Sequence, residues 1–166
     1  MKLFFRIAFL AVVVAAGIWF WTIFFPSPEK IIRRQLAEIA GDASFNSNES
    51  PLIGIARARK LAGFFSPDVV VKLDAPLNLQ RTFESREEIA QVALAARSLL
   101  GGGLKVEFLG VNVTIAPDKQ TALADLTARV KIGGSGDVIV QEIKFSLQKT
   151  DGHWLITRVE TIRPFS

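Results

Sequence analysis

The sequence predicts an α+β chain: a curved antiparallel sheet wrapped around N-terminal helices and preceded by one transmembrane helix. Three observations predict it. Leu104 to Pro164 alternates apolar and polar residues in four long segments separated by turn signals. The segments before it carry apolar residues at helical spacing behind recognisable helix starts. Ile7 to Phe25 is an apolar run without a charged residue. The expected division is a transmembrane signal anchor over 1–25 and a single α+β domain over 26–166.

Nineteen residues, Ile7 to Phe25, span roughly 28 Å as a helix, close to the thickness of a bilayer's hydrocarbon core. Trp19 and Trp21 lie toward its far end, where aromatic rings suit the interface. A cleaved signal peptide is the competing reading, with small residues at Val14-Ala15-Ala16. Cleavage there would leave the apolar run from Gly17 to Phe25 as a new N-terminus, and a signal peptide's apolar region is shorter than this one. The run therefore reads as an uncleaved anchor. Lys2 and Arg6 on one side nearly balance Lys30, Arg33 and Arg34 on the other. The first pair abuts the run, which favours a cytoplasmic N-terminus and a domain outside the cytoplasm, in the manner of a bacterial inner-membrane protein facing the periplasm.

Composition excludes several chemistries. There is no Cys, so disulfides, thiol catalysis, cysteine zinc sites and a lipid-modified cysteine are out. One His rules out a multi-histidine metal site. The net charge is +4; setting aside Lys2 and Arg6 leaves 18 basic against 16 acidic residues. These are dispersed, and no nucleic-acid partner is expected.

Ser27-Pro28-Glu29 starts the first helix: a hydroxyl N-cap, a proline at the first position and an acid in the first turn. Ile31, Ile32, Leu36 and Ile39 supply its apolar side, Gly41 its expected C-cap. Asp42 to Glu49 reads as a loop. Ser50-Pro51 starts a second helix with Leu52, Ile55, Leu61 and Ala62 as the apolar side, ending near Gly63. Short strands are expected over Asp68–Leu73 and Arg81–Phe83. Ser85-Arg86-Glu87-Glu88 is a capping box, followed by an apolar stripe of Ile89, Val92, Ala93, Ala96, Leu99 and Leu100. Gly101-Gly102-Gly103 closes that helix. It opens no helix and no Gly-Lys-Ser/Thr follows, so it is a connector and not a phosphate loop.

In the strand half, the apolar parity of Lys105–Ala116 switches near Leu109-Gly110, which predicts a β-bulge and a bent sheet. Thr121–Ile132 places Ala122, Ala124, Leu126, Ala128, Val130 and Ile132 on one face. In Asp137–Thr150, Ile139, Ile143, Phe145 and Leu147 share a face. Asp151-Gly152 is a hairpin signal, and His153–Arg163 closes the meander with Trp154, Ile156 and Ile162 on one face.

Three stretches together resemble the nuclear-transport-factor-2-like superfamily, whose domains are cystatin-like α+β cones. Phe64-Phe65-Ser66-Pro67-Asp68-Val69-Val70-Val71 is similar to its helix-to-first-strand junction, Ser85-Arg86-Glu87-Glu88-Ile89 to its third-helix entry, and Lys149-Thr150-Asp151-Gly152-His153-Trp154-Leu155-Ile156 to its final hairpin. The resemblance covers about residues 28–164. It implies a concave pocket between sheet and helices, lined by the last strands. Strand parity then makes Gln141, Arg158 and Glu160 the pocket-lining candidates, the alternative being an Arg158–Glu160 pair at the rim. Enzymes of the superfamily use tyrosine, aspartate and histidine in the pocket. This chain has no Tyr, His153 follows a turn, and Asp125 has the parity opposite to the apolar face. No catalytic residue, metal or cofactor is assigned. The expected function is a membrane-tethered, non-catalytic domain outside the cytoplasm that binds a protein partner or a small apolar ligand. The alternative is a small isomerase, cyclase or hydrolase acting on an apolar substrate in the cone. The resemblance also allows a homodimer through the open sheet face, with Leu155 and Val159 as apolar surface.

Overall fold

The computed structural model describes residues 11–17, 19, 26–75 and 79–162. Three helices, α1 (Pro28–Ala43), α2 (Pro51–Gly63) and α3 (Arg86–Leu99), accompany six strands: β1 (Phe65–Ala75), β2 (Leu79–Phe83), β3 (Leu104–Ile115), β4 (Thr121–Ile132), β5 (Val138–Thr150) and β6 (His153–Thr161). The strands form one sheet in the order β2-β1-β6-β5-β4-β3. Every pairing is antiparallel except β1 with β6, which is parallel. The expectation of a wholly antiparallel sheet is corrected at that one seam: the β1–β2 hairpin docks beside the last strand of the meander.

Of the apolar run 7–25, residues 11–17 and 19 are helical; the rest of the expected anchor lies outside the described residues. No helix among the described residues is long and apolar enough to cross a membrane.

The sheet bends where the sequence switches parity. Between Leu109 and Asn112 the β3–β4 register slips, and Gly110 has φ 60°. The carbonyl of Val111, freed by the bulge, accepts from the Arg33 guanidinium on α1. The β5–β6 turn, Asp151-Gly152, has positive φ at both residues (51° and 82°), as a two-residue hairpin turn that follows the strand twist requires.

α1 covers the sheet with Ile32, Leu36 and Ile39, all essentially buried. Opposite them lie Ala124, Leu126 and Ala128 of β4, Phe145 and Leu147 of β5, and Trp154, Ile156 and Val159 of β6. Burying each large apolar side chain contributes about 1.5–3 kcal/mol. The residues of this core all lie between Ile32 and Val159, so a chain beginning at Ser27 retains them.

Helix ends follow their signals with two adjustments. Ser27 Oγ accepts from the Lys30 amide at 3.4 Å. α1 runs past Gly41 to Ala43, and Ser44 caps it, its amide donating to the Ala40 carbonyl at 3.1 Å. Ser44 Oγ also accepts from the Val106 amide at 2.9 Å, and Phe45 bridges Leu104, so this cap covers the outer edge of β3. In the Ser85 box, Ser85 Oγ accepts from the Glu88 amide at 3.2 Å, while the Glu88 carboxylate reaches one residue further back, to the Glu84 amide at 3.0 Å. α2 buries Gly54, Ala58, Leu61 and Ala62 and leaves Leu52 77% exposed. Small residues at i, i+4 and i+8 (Gly54, Ala58 and Ala62) let α2 approach α3 closely, and that contact overrides the pull of the larger Leu52 and Ile55.

Candidate ligand cavity

Between the helices and the concave face of the sheet lies a cavity of about 350 Å³. α3 forms one wall with Ile89, Val92, Ala93 and Ala96, the stripe its heptad-like spacing predicts. The sheet forms the opposite wall with Val71 and Leu73 of β1, Phe108 of β3, Ile143 and Phe145 of β5 and Val159 of β6. Phe83 of β2 and Phe45, beyond α1, add two further rings. The rings of Phe108 and Phe145 stand 5.8 Å apart, tilted by 60°.

α3 has no fully buried residue. Ile89 and Ala93 pack half-buried against the core at the cavity's edge, and Val92 is 42% exposed. A half-buried apolar stripe beside a cavity leaves hydrophobic burial that a ligand can complete.

Arg97, one turn beyond Ala93 on α3, is the only charged side chain among the described cavity-lining residues. Only 9% of that side chain is exposed. Its Nε donates to Glu49 at 3.0 Å, one Nη to the Ala93 carbonyl at 3.0 Å and the other to the Asp42 carbonyl at 2.5 Å. The guanidinium lies 5.1 Å from the centre of the Phe45 ring, within cation–π range. Glu49 also holds Arg57 at 3.1 Å. Nearby, Asp42 pairs with Lys60 at 2.9 Å, and this hydrogen bond raises the Lys60 pKa above the ordinary lysine value. Two guanidiniums thus share one carboxylate next to the cavity.

The bulge that ends the first half of β6 decides where the sequence-predicted site residues lie. Ser146 pairs with Arg158 and Leu147 with Ile156, so Thr157 has no partner in the ladder; its hydroxyl donates to the Ser146 carbonyl at 3.2 Å. An extra residue inverts the parity beyond it. Trp154 and Ile156 point inward, and after the bulge Val159 does, 5% exposed and lining the cavity. Arg158 and Glu160 therefore face the outer side of the sheet and pair with each other at 2.9 Å. Their assignment to the pocket is corrected on that ground, and so is the assignment of Val159 to the outer surface. Gln141 pairs in register with the inward-facing Ala128 and is half-buried, beside the cavity rather than in its lining. His153 is exposed, and Asp125 lies on the outer face 3.7 Å from Lys144.

Arg97 and the ring residues escaped the reading by strand parity. Phe45 sits in a segment read as loop, and Arg97 is a cation in a helix whose polar residues read as solvated. The usable signal was positional: Arg97 is four residues after Ala93, on the same face of α3.

The mixed six-strand sheet curled over three helices defines a cone of the nuclear-transport-factor-2-like type. Solved structures agree. An NTF2-like protein with a cystatin-like fold from Novosphingobium aromaticivorans superposes with a TM-score of 0.64 at 19% identity, over 89% of this chain and 86% of its own. An NTF2-like protein from Pseudomonas putida gives 0.63 at 13%, over 86% and 90%. A second N. aromaticivorans chain, named as a candidate scytalone dehydratase, gives 0.55 at 14%, over 81% and 83%. At these identities the likeness concerns the fold. Residues 50–160 match the SnoaL-like domain family, and the chain belongs to it. No curated protein matches the chain.

Proposed function

We propose that this SnoaL-like domain is a binding module that takes up one small apolar ligand in its cone and performs no chemistry on it. The observation that carries the reading is the half-buried apolar stripe of α3 lining a cavity of about 350 Å³, within the size range of small-molecule sites. Proton transfer needs a titratable group within reach of the reacting atom. The described cavity-lining residues contribute one charged group, Arg97, which is held by acceptors on three sides. In this reading the N-terminal run Ile7–Phe25 tethers the module to a membrane, with the N-terminus cytoplasmic and the domain outside.

Native mass spectrometry of the full chain, extracted gently from membranes, tests both parts. The reading expects the chain in the membrane fraction, a chain beginning at Ser27 in the soluble fraction, and one small apolar molecule released unchanged from each. A ligand converted on incubation would support the cone-enzyme alternative and overturn the non-catalytic reading. Full-length chain in the soluble fraction would overturn the tether.

A further inference from the structure

We infer that the ligand is a hydrocarbon, one that brings no donor, acceptor or charge into the cone. The inference rests on the apolar-ligand reading and names the chemistry of that ligand. Of the described residues that line the cavity, every one but Arg97 has a side chain of carbon and hydrogen alone. Five are phenylalanines: Phe45, Phe65, Phe83, Phe108 and Phe145. Among the described residues, no buried side-chain donor or acceptor left without a partner lies in this wall. The backbone of the wall is taken as well. Phe108, Ile143, Phe145 and Val159 stand in strand ladders, and Phe45 exchanges both its backbone hydrogen bonds with Leu104.

Arg97 does not alter this. Its charge is met by Glu49 at 3.0 Å, a carboxylate only 11% exposed. Its two Nη groups donate to the Ala93 and Asp42 carbonyls, and the Phe45 ring lies against the guanidinium. Glu49 and Asp42 stand outside the cavity lining, so Arg97 closes one end of the cavity as half of an ion pair. Arg57, the second cation on Glu49, is half-exposed and keeps its charge in water. Gln141 lies beside the lining and is itself engaged. A hydroxyl, amide or carboxylate carried into this space would give up its water and find no partner. A hydrocarbon gives up no hydrogen bond and completes the burial of Ile89, Val92 and Ala93. Apolar cavities in general stay dry and take up hydrocarbons. Size sets the carbon count: at ~30 Å³ for each non-hydrogen atom, a water's share of the liquid, a cavity of about 350 Å³ holds roughly ten.

The test is equilibrium dialysis of naphthalene, 2-naphthol and 2-naphthoate against the full chain in nanodiscs, with empty nanodiscs as the baseline. The three share one fused-ring frame of suitable size and differ in the group it carries. A hydroxyl buried without a partner predicts naphthalene binding about 5- to 150-fold tighter than 2-naphthol. The ionised carboxylate of 2-naphthoate predicts no saturable binding. Ala96→Ser puts one hydroxyl into the wall and should narrow the ratio of naphthalene to 2-naphthol severalfold. Ala95→Ser, exposed and outside the lining, should leave the ratio unchanged. If 2-naphthol or 2-naphthoate binds as tightly as naphthalene, or if Ala96→Ser leaves the ratio intact, the inference is overturned and the apolar-ligand reading is spared. Failure of all three to bind overturns both.

Discussion

Replacing the three consecutive glycines between α3 and β3 by alanine, one at a time, should give three different outcomes. A Cβ on Gly101 would meet no atom within 4 Å, and its φ is not in the left-handed region. Gly101→Ala should therefore be neutral or stabilising by about 0.4–1 kcal/mol, through a less flexible unfolded chain. A Cβ on Gly102 would fall closer than 3.0 Å to the Gly133 carbonyl and the Gly134 nitrogen. Those are backbone atoms, pinned by the Gly133 amide donating to the Gly103 carbonyl at 2.9 Å. No side chain can swing aside, so Gly102→Ala should cost about 1–3 kcal/mol or more. Gly103 has φ 90°, and its Cβ would lie 2.7 Å from the Phe45 carbonyl. Left-handed backbone alone costs an alanine about 1–2 kcal/mol, and the contact adds to it. The assay is urea unfolding of the chain beginning at Ser27, compared by midpoint at constant slope. Gly102→Ala as stable as Gly101→Ala would refute the close approach of the two glycine backbones, and with it the placement of the α3–β3 connector against the β4–β5 turn.

Three further outcomes follow from the packing and charge. Leu36→Ala, at a side chain with no exposure, should cost about 2–5 kcal/mol, whereas Leu52→Ala, 77% exposed, should stay within about 0.5 kcal/mol; similar costs in urea unfolding would contradict the assigned faces of α1 and α2. Glu107 is held by hydrogen bonds from Lys105, then Arg129, which lower its pKa from 4.5 to about 2. A depressed carboxyl contributes stability that is present above pH 4.5 and fades as pH falls toward about 2; carboxyl NMR should show the low value, with Lys105→Gln raising it. Arg158→Ala should change stability by no more than about 1 kcal/mol, since its Glu160 pair is solvent-exposed, and should leave ligand affinity unaltered. A tenfold loss of affinity would return Arg158 to the cavity.

Most of the fold was legible because local signals and tertiary packing agree in it. The Ser27 and Ser85 caps, the bulge beside Gly110, the Asp151-Gly152 turn and the alternation from Ala122 to Ala128 each encode their own geometry. The site was less legible. A bulge at Thr157 carries no glycine to announce it, and Ile162, with the parity of Ile156, suggested an unbroken strand; the inward Val159 was the contrary sign. The parallel β1–β6 seam joins residues some ninety positions apart, beyond any local pattern. In α2, close approach to α3 selected Gly54 and Ala58 over Leu52, a choice that depends on a neighbour the helix's own sequence does not contain. Arg97 is informative only once Asp42 at the end of α1 and Phe45 and Glu49 of the α1–α2 connector, some fifty residues away in the chain, are gathered around it.

The central claim is that the cone's interior is the ligand site. Methyl NMR of the chain beginning at Ser27, titrated with naphthalene, tests it most directly. Ala93, Ala96, Ile143 and Val159, which line the cavity, should shift together with one saturating isotherm. Leu123, Val138 and Val140, exposed away from it, should not move. Shifts confined to Leu123, Val138 and Val140, or no saturable shift at any cavity methyl, would contradict the account.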